Sequence, residues 1–171
     1  MTATESQIIT NLIASPVDMT KVSEKHARKR VDICRVTVPA SPGAAHLLRL
    51  TKLRAHDHLV SVKHLGGADS NMDDNDLGIF TPSDSVTDPV AIDPNGLADD
   101  FDVAGAENFQ REILGIGLTN FADFGKPLWE YAVGGPTDEP DVGTEYEIVV
   151  TITGDAVGSE HVFIVEYTAG D

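Results

Sequence analysis

The sequence predicts an all-β protein, an antiparallel β-sandwich of jelly-roll type with an extended N-terminal arm. Three observations predict this fold. Short runs in which apolar and polar residues alternate recur along the chain, as in half-buried strands. Turn residues, mainly Gly, Pro, Asp and Asn, separate these runs. The first 29 residues lack the pattern, so we divide the chain into an arm, residues 1–29, and a sandwich body, residues 30–171.

The arm has an apolar first half and a basic second half. Residues 8–13 place four aliphatic side chains at helical spacing, and Ser15-Pro16 ends that pattern. We expect the arm to be extended or marginally helical and to become ordered only against a partner. The alternative is a tail without a role. The candidate partner-binding residues are Ile8, Ile9, Leu12, Ile13, Val17, Met19, Lys21, Lys25, Arg28, Lys29 and Arg30.

Three strand candidates open the body, at residues 30–38, 46–53 and 58–65. Each is rich in β-branched or aliphatic residues, and short turns separate them. Successive strands with short connections are typical of an antiparallel arrangement.

The centre of the chain is rich in loops and less regular. An acidic stretch at residues 69–76 precedes a short strand at 77–80, a candidate strand at 90–92 and a turn at 93–96. Residues 97–115 predict irregular or briefly helical structure. Residues 128–133 predict a strand or a short helix.

The end of the chain has the clearest alternation. Residues 146–153 place Tyr146, Ile148, Val150 and Ile152 on one face, and residues 161–167 return after a turn. We interpret these two runs as a terminal hairpin that buries one face.

The net charge of −16 is unevenly distributed. Residues 1–63 contain ten of the twelve Lys and Arg and five of the 28 acids, a net charge of +5. The rest of the chain has two basic and 23 acidic residues, a net charge of −21. Such an acidic body repels nucleic acid and anionic membranes, so we expect neither as a partner. Proteins or cations are the expected partners; the alternative is a charge that serves solubility alone.

No motif indicates catalysis or a bound cofactor. The sequence contains no GxSxG, and Gly115-Ile116-Gly117 lacks the remaining glycines of a nucleotide-binding loop. Cys34 lies in an alternating apolar stretch, where a buried and inert thiol is expected. We therefore predict that the protein is not an enzyme and has no catalytic residues and no cofactor.

Two groups of residues were candidates for binding a metal ion. As an EF-hand loop, residues 69–76 would put Asp74 in place of the central glycine and Phe80 in place of the bidentate glutamate, so the match fails. His56 and His58 lie on the same side of an extended segment, as two zinc ligands would, but a third ligand is not evident. We expect a solvated acidic loop and histidines at strand starts or interfaces, with no metal site.

Four segments follow one another in a familiar order: the strand at 59–64, Asn75-Asp76-Leu77-Gly78-Ile79-Phe80, Pro127-Leu128-Trp129-Glu130-Tyr131, and the strand that opens with Gly143-Thr144-Glu145-Tyr146. In this order the chain resembles the small β-sandwich decoration proteins (cement or head-stabilisation proteins) of tailed bacteriophages. In that family a D-x-G-aromatic segment, a Leu-Trp-Glu segment and a Tyr-Asp-Ile-type penultimate strand recur. The resemblance covers residues 30–171. The basic arm departs from the family's pattern, so its role is not carried over.

The resemblance implies attachment to the outside of an icosahedral capsid, in several copies per capsomer or at local threefold axes. The implied partners are the major capsid protein and neighbouring copies of the chain, in a homo-oligomer for which a trimer is favoured. The implied location is the exterior of the virion, after synthesis in the cytoplasm of the bacterial host.

We therefore predict a structural protein that decorates and stabilises a tailed-phage capsid, with the arm clamping neighbouring subunits. The alternative is a receptor- or glycan-binding β-sandwich module on a virion or cell surface, which the fold class alone permits. A hydrolase on a jelly-roll scaffold has no supporting motif.

Overall fold

The computed structural model describes residues 28–38, 46–66, 74–82, 89–102, 111–117, 125–131, 138–152 and 159–170. These ranges contain eight strands and a short helix: β1 (Lys29–Val38), β2 (His46–Arg54), β3 (His58–Gly66), β4 (Asn75–Phe80), β5 (Ala91–Phe101), β6 (Arg111–Glu112), α1 (Leu128–Tyr131), β7 (Glu145–Ile152) and β8 (Ser159–Thr168). Most of the predicted arm and positions 69–73 of the acidic stretch lie outside them. Within these ranges, no helix has the length and hydropathy of a membrane span.

The strands form two four-stranded sheets. Sheet A has the order β1-β8-β3-β6, sheet B has the order β2-β7-β4-β5, and every pairing is antiparallel. The predicted antiparallel β-sandwich is therefore confirmed. From β1 to β4, consecutive strands lie in opposite sheets. The three strands that open the body thus pair with β7 and β8 rather than with one another.

The predicted hairpin of the last two strands is wrong. β7 lies in sheet B between β2 and β4, whereas β8 lies in sheet A between β1 and β3. The predicted inward residues of β7 are nevertheless buried, together with Phe163, Val165 and Tyr167 of β8. All of them belong to one hydrophobic core. The two strands therefore meet across the sandwich and not side by side.

The core between the sheets is made mainly of aliphatic residues. The core includes Leu53 of β2, Leu59 of β3, and Leu77 and Ile79 of β4. Phe101 belongs to it at the end of β5. Each of them is at most 2% exposed. Burial of each large side chain contributes about 1.5–3 kcal/mol, which explains why the sandwich needs no disulfide.

The predicted turn at residues 93–96 is a bulge inside a strand. β4 pairs Ile79 with Asp93 and Leu77 with Ala98, so the β5 segment between these pairs is three residues longer than its partner. The extra residues of β5 fold over β4, where a Cβ on Gly78 would lie 2.2 Å from the carbonyl oxygen of Pro94. Turn-type residues thus produce a bulge here because the flanking residues remain paired to β4. The expectation of irregular structure is also wrong for residues 97–101, which belong to β5.

The segment predicted as a strand or short helix contains the helix α1. Its first two amides are satisfied by the turn between β2 and β3: Leu128 N–H donates to the Asp57 carbonyl at 2.9 Å and Trp129 N–H to the Ala55 carbonyl at 3.0 Å. Leu128 and Tyr131 are buried. The helix therefore closes the end of the sandwich at which β1, β3 and β7 begin; we call it the arm end.

Candidate interaction surface

The first strand joins the predicted arm to the body. β1 begins at Lys29 and pairs with β8 over all ten of its residues. Of the predicted partner-binding residues, the structure describes Arg28, Lys29 and Arg30; the eight from Ile8 to Lys25 lie outside the described residues. The binding role of the arm stays a prediction.

Lys29 is bound within its own sheet. Its Nζ lies 2.5 Å from Glu166 Oε2 on β8, and Nζ of Lys63 on β3 donates to Glu166 Oε1 at 3.2 Å. The Lys29 ammonium is the main cause that lowers the pKa of Glu166; partial burial opposes this shift and Lys63 adds to it. Arg28 and Arg30 are exposed. Lys29 therefore fastens the start of β1 to sheet A, whereas the two arginines face solvent.

β1 carries apolar side chains on both of its faces. Cys34 and Val36 pack against the core and Val38 belongs to it. Because successive side chains of a strand alternate, Val31 and Ile33 point to the outer face, where they are 51% and 65% exposed. Edge strands more often carry polar or charged side chains on an exposed face. Two successive outward positions of this edge strand are thus apolar, between Lys29 and Arg35.

The neighbouring strand extends this apolar surface. Ile33 lies opposite Ile164 of β8, and Val162 follows on the same face of β8. Both β8 residues are partly buried. We call Val31, Ile33, Val162 and Ile164 the apolar strip.

The turn between β2 and β3 makes several polar contacts at the arm end. The buried Asp57 carboxylate accepts hydrogen bonds from the amides of Arg54 at 2.9 Å and Gly170 at 3.1 Å. His58 Nδ1 donates to the Gly125 carbonyl at 2.8 Å, whereas His56 Nε2 lies 3.1 Å from Glu139 Oε1. The two imidazoles bind different partners, so this turn connects the C-terminal residues and two loops of the arm end.

A histidine pair lies inside sheet A. His64 Nε2 is 2.8 Å from His161 Nδ1, and both residues are fully buried. The Phe163 ring lies against His64, with ring centroids 4.9 Å apart. A Cβ on Gly66 would lie 2.4 Å from His64 Cε1 and 2.8 Å from His161 Nδ1, so the pair fills the space beside that glycine.

Burial makes both rings of this pair weak bases. It lowers the pKa of His64 to about 4, with smaller contributions from His161 and Arg111, and it also lowers the pKa of His161. With both rings neutral, one ring nitrogen donates to the other. The sequence analysis did not predict this pair, because it forms between residues of two strands that are far apart in the chain.

Three carboxylates meet near the opposite end of the sandwich. The ligand oxygens of Asp76, Asp99 and Asp100 lie within 4.8 Å of one another. Asp100 N–H donates to Asp76 Oδ1 at 3.2 Å, and Asn95 Nδ2 donates to Asp99 Oδ1 at 3.0 Å. Burial raises the pKa of Asp76, and the nearby carboxylates of Asp99 and Asp100 raise it further. The hydrogen bond from the Asp100 amide opposes this shift. Of the acidic stretch that the sequence singled out, Asp76 belongs to this group, and the other two acids come from β5.

Cys34 has the environment expected for an inert thiol. Burial, assisted by Asp32, raises the pKa of the Cys34 thiol to about 11. Little thiolate therefore exists near neutral pH, and the thiolate is the nucleophilic form.

Comparison with known proteins identifies a protein of similar fold. No protein-family model matches the sequence, and no curated protein matches it. Among solved structures, a chain in the capsid of Ralstonia phage GP4 superposes with a TM-score of 0.60 at 15% sequence identity. The two chains share one fold. The match covers 91% of this chain and 93% of that chain, so the likeness extends over both sheets.

Proposed function

We propose that this protein is a structural component of a tailed-phage virion that decorates and stabilises the outside of the capsid. The observation that carries the proposal is the fold shared with a chain in the capsid of Ralstonia phage GP4, over nearly the whole length of both chains. The segment order described above supports the finer assignment to the decoration proteins.

The charge distribution favours the outer surface. Residues 64–171 carry two basic residues against 23 acids. A capsid interior holds densely packed nucleic acid, whose phosphates repel such a body. On the outside the same charge keeps a coated particle soluble.

We assign the clamping role to the arm. A force on the arm is transmitted to the body through β1, which begins at Lys29. The ion pair of Lys29 with Glu166 and the ten-residue pairing of β1 with β8 hold this strand in sheet A. Ordering the arm against a neighbour costs about 1–2 kcal/mol of backbone entropy per residue. Six apolar residues, at about 1.5–3 kcal/mol each when buried, offset part of that cost: Ile8, Ile9, Leu12, Ile13, Val17 and Met19.

The proposed partners are the major capsid protein and neighbouring copies of this chain, with a trimer favoured. Many identical weak contacts on a lattice give a high overall affinity through multivalency. The proposed role requires neither a catalytic group nor a cofactor.

Attachment to capsids tests the proposal. Capsids of the encoding phage, stripped of this protein, are mixed with the full chain or with a chain that lacks residues 2–27 and keeps Lys29, and pelleted by centrifugation. We expect the full chain to co-sediment at a saturating ratio set by the lattice and the shortened chain to bind at least about tenfold more weakly, a loss of about 1.4 kcal/mol. Circular dichroism checks that the shortened chain is folded.

Two outcomes separate the parts of the proposal. A full chain that does not bind stripped capsids contradicts the decoration role. Equal binding by both chains contradicts the clamping role of the arm and leaves the decoration role in place.

A further inference from the structure

The apolar strip leaves a contiguous aliphatic surface in water. Val31 and Ile33 are two of the five large hydrophobic residues that are exposed in the described part of the chain, and they are successive outward residues of one strand. The charged groups beside the strip are paired within sheet A: Lys29 and Lys63 with Glu166, and Arg35 with Glu160 at 3.7 Å. The surface therefore suits an occupant that is apolar and uncharged.

The strip is too small for a stable contact between two folded copies. It consists of four side chains on two strands, two of them partly buried, and partly buried Leu65 of β3, opposite Val162, adds only one more. A stable protein interface buries about 800 Å² on each partner and involves about 20–30 residues a side. A short peptide segment with a few aliphatic side chains fits the strip better.

The chain itself contains such a segment. Residues 8–13 comprise four aliphatic residues, Thr10 and Asn11, and they carry no charge. The sixteen peptide units from Ile13 to Lys29 span roughly 20–25 Å as a random coil and at most about 55 Å when extended. Ile33 lies about 13 Å along β1 from Lys29, at about 3.3 Å per residue. The tether therefore reaches the strip with length to spare.

We propose that the apolar strip binds residues 8–13 of the same chain. Linkage over this length gives an effective concentration of about 1 mM, which exceeds the concentration of a second copy in dilute solution. Docking removes aliphatic surface of both partners from water, and the charged residues from Lys21 to Arg28 stay in the tether. The inference concerns the isolated protein, so it stands or falls independently of the proposed capsid role.

Disulfide trapping in the full chain tests the proposal. The variant carries Cys34→Ser to remove the native thiol, together with Ile9→Cys and Ile33→Cys. The matched control replaces Ile33→Cys by Val142→Cys, because Val142 is 64% exposed against 65% for Ile33 and lies beside β7 at the arm end. Under mild oxidation we expect a cross-linked monomer from Ile9→Cys/Ile33→Cys in at least about fivefold higher yield than from the control, with the same yield at about 1 and 10 μM protein.

Two outcomes would overturn the proposal. Equal monomer yields from the two pairs mean that the arm does not prefer the strip. Disulfide-linked dimers that increase with protein concentration mean that the strip receives the arm of a second copy.

A second measurement retains Cys34 and follows the binding of a hydrophobic dye. In the full chain, Leu12→Ser with Ile13→Ser removes two aliphatic side chains from the segment. If the segment covers the strip, its release exposes Val31 and Ile33, and the fluorescence of bound anilinonaphthalene sulfonate rises. If the segment does not cover the strip, the substitutions only remove apolar surface; an unchanged or lower fluorescence therefore contradicts the proposal.

Discussion

At the scale of single residues, the two buried histidines determine how the stability of the protein responds to acid. His64 and His161 hydrogen-bond to each other inside sheet A, and the charged group that acts on His64 is Arg111, which also disfavours a proton there. An imidazolium at this position would be buried beside a second ring and a guanidinium. The pair is thus stable when neutral, and protonation opposes folding.

Stability is expected to fall as the pH is lowered from about 6.5 to about 4. In this window an unfolded histidine, with a pKa near 6.5, binds a proton, whereas folded His64, with a pKa of about 4, does not. The unfolded state therefore binds more protons, and the free energy of unfolding falls by up to about 1.4 kcal/mol per pH unit for each such histidine. Urea denaturation between pH 7 and pH 4 measures this slope.

The slope is assigned to the pair by comparing variants, since carboxylates also titrate in this range. His64→Leu should flatten the pH dependence relative to the native chain, even if it changes stability at pH 7. Val60→Ala, at an exposed position of the same strand as His64, removes no titratable group and should leave the slope unchanged. An unchanged slope in His64→Leu would contradict the assignment.

At the scale of the strands, the bulge determines the shape of β5. Gly78 of the neighbouring strand β4 is the residue that permits the bulge. A Cβ there meets backbone atoms of Asp93 and Pro94 at 2.2–2.4 Å. Backbone cannot move aside as a flexible side chain can, so the bulge and an alanine at this position are incompatible.

We expect Gly78→Ala to reduce the free energy of unfolding by about 1–3 kcal/mol or more, the typical cost of overpacking. Gly143→Ala is the matched control, because a Cβ on Gly143 has no neighbour within 4 Å. That substitution should be neutral or stabilise by up to about 1 kcal/mol through the unfolded state. Chemical denaturation of both variants measures the difference, and similar losses in the two would show that the close approach at Gly78 is not what constrains the residue.

Local patterns in the sequence identify the faces of the strands but not their neighbours. Alternation correctly predicts that Tyr146, Ile148, Val150 and Ile152 of β7 share a buried face, because side-chain direction depends only on the adjacent residues. It does not show that Glu147 and Val149 on the other face are buried too. It cannot show that a sheet change separates the two strands, since pairing is decided by the whole core. The same reason explains the bulge at residues 93–96, whose Pro-Asn-Gly sequence is equally typical of a turn.

The polar clusters are still harder to predict from sequence. His64 and His161 are 97 positions apart, and Asp76 meets Asp99 only because β4 and β5 pair. No spacing rule along the chain connects such residues. The direction of Cys34 toward the core could be predicted, because it follows from the alternation of its own strand.

At the scale of the whole molecule, the acidic charge opposes folding through self-repulsion. The net charge of −16 comes from a body with far more acids than bases. Compaction brings these charges together, and screening by salt weakens the repulsion within a Debye length of about 10 Å at 0.1 M.

The melting temperature at pH 7 is therefore expected to rise when sodium chloride is increased from about 20 to about 300 mM. A gain of about 1 kcal/mol corresponds to roughly 2–4 °C for a chain of this size. Choline chloride at equal ionic strength is the control and should have the same effect, because screening depends on ionic strength and not on the cation. A melting temperature that falls with salt would show that attractive ion pairs outweigh the repulsion.

The strand order of sheet A also determines when the protein can fold. β8, the last of the described strands along the chain, lies between β1 and β3 and is the strand to which both of them pair. Until the ribosome has released β8, β1 and β3 lack this common partner and sheet A cannot close. Contacts between residues so distant in sequence also slow folding. A chain truncated ahead of β8 consequently leaves two strands of sheet A without their shared partner, and its surface is unfinished.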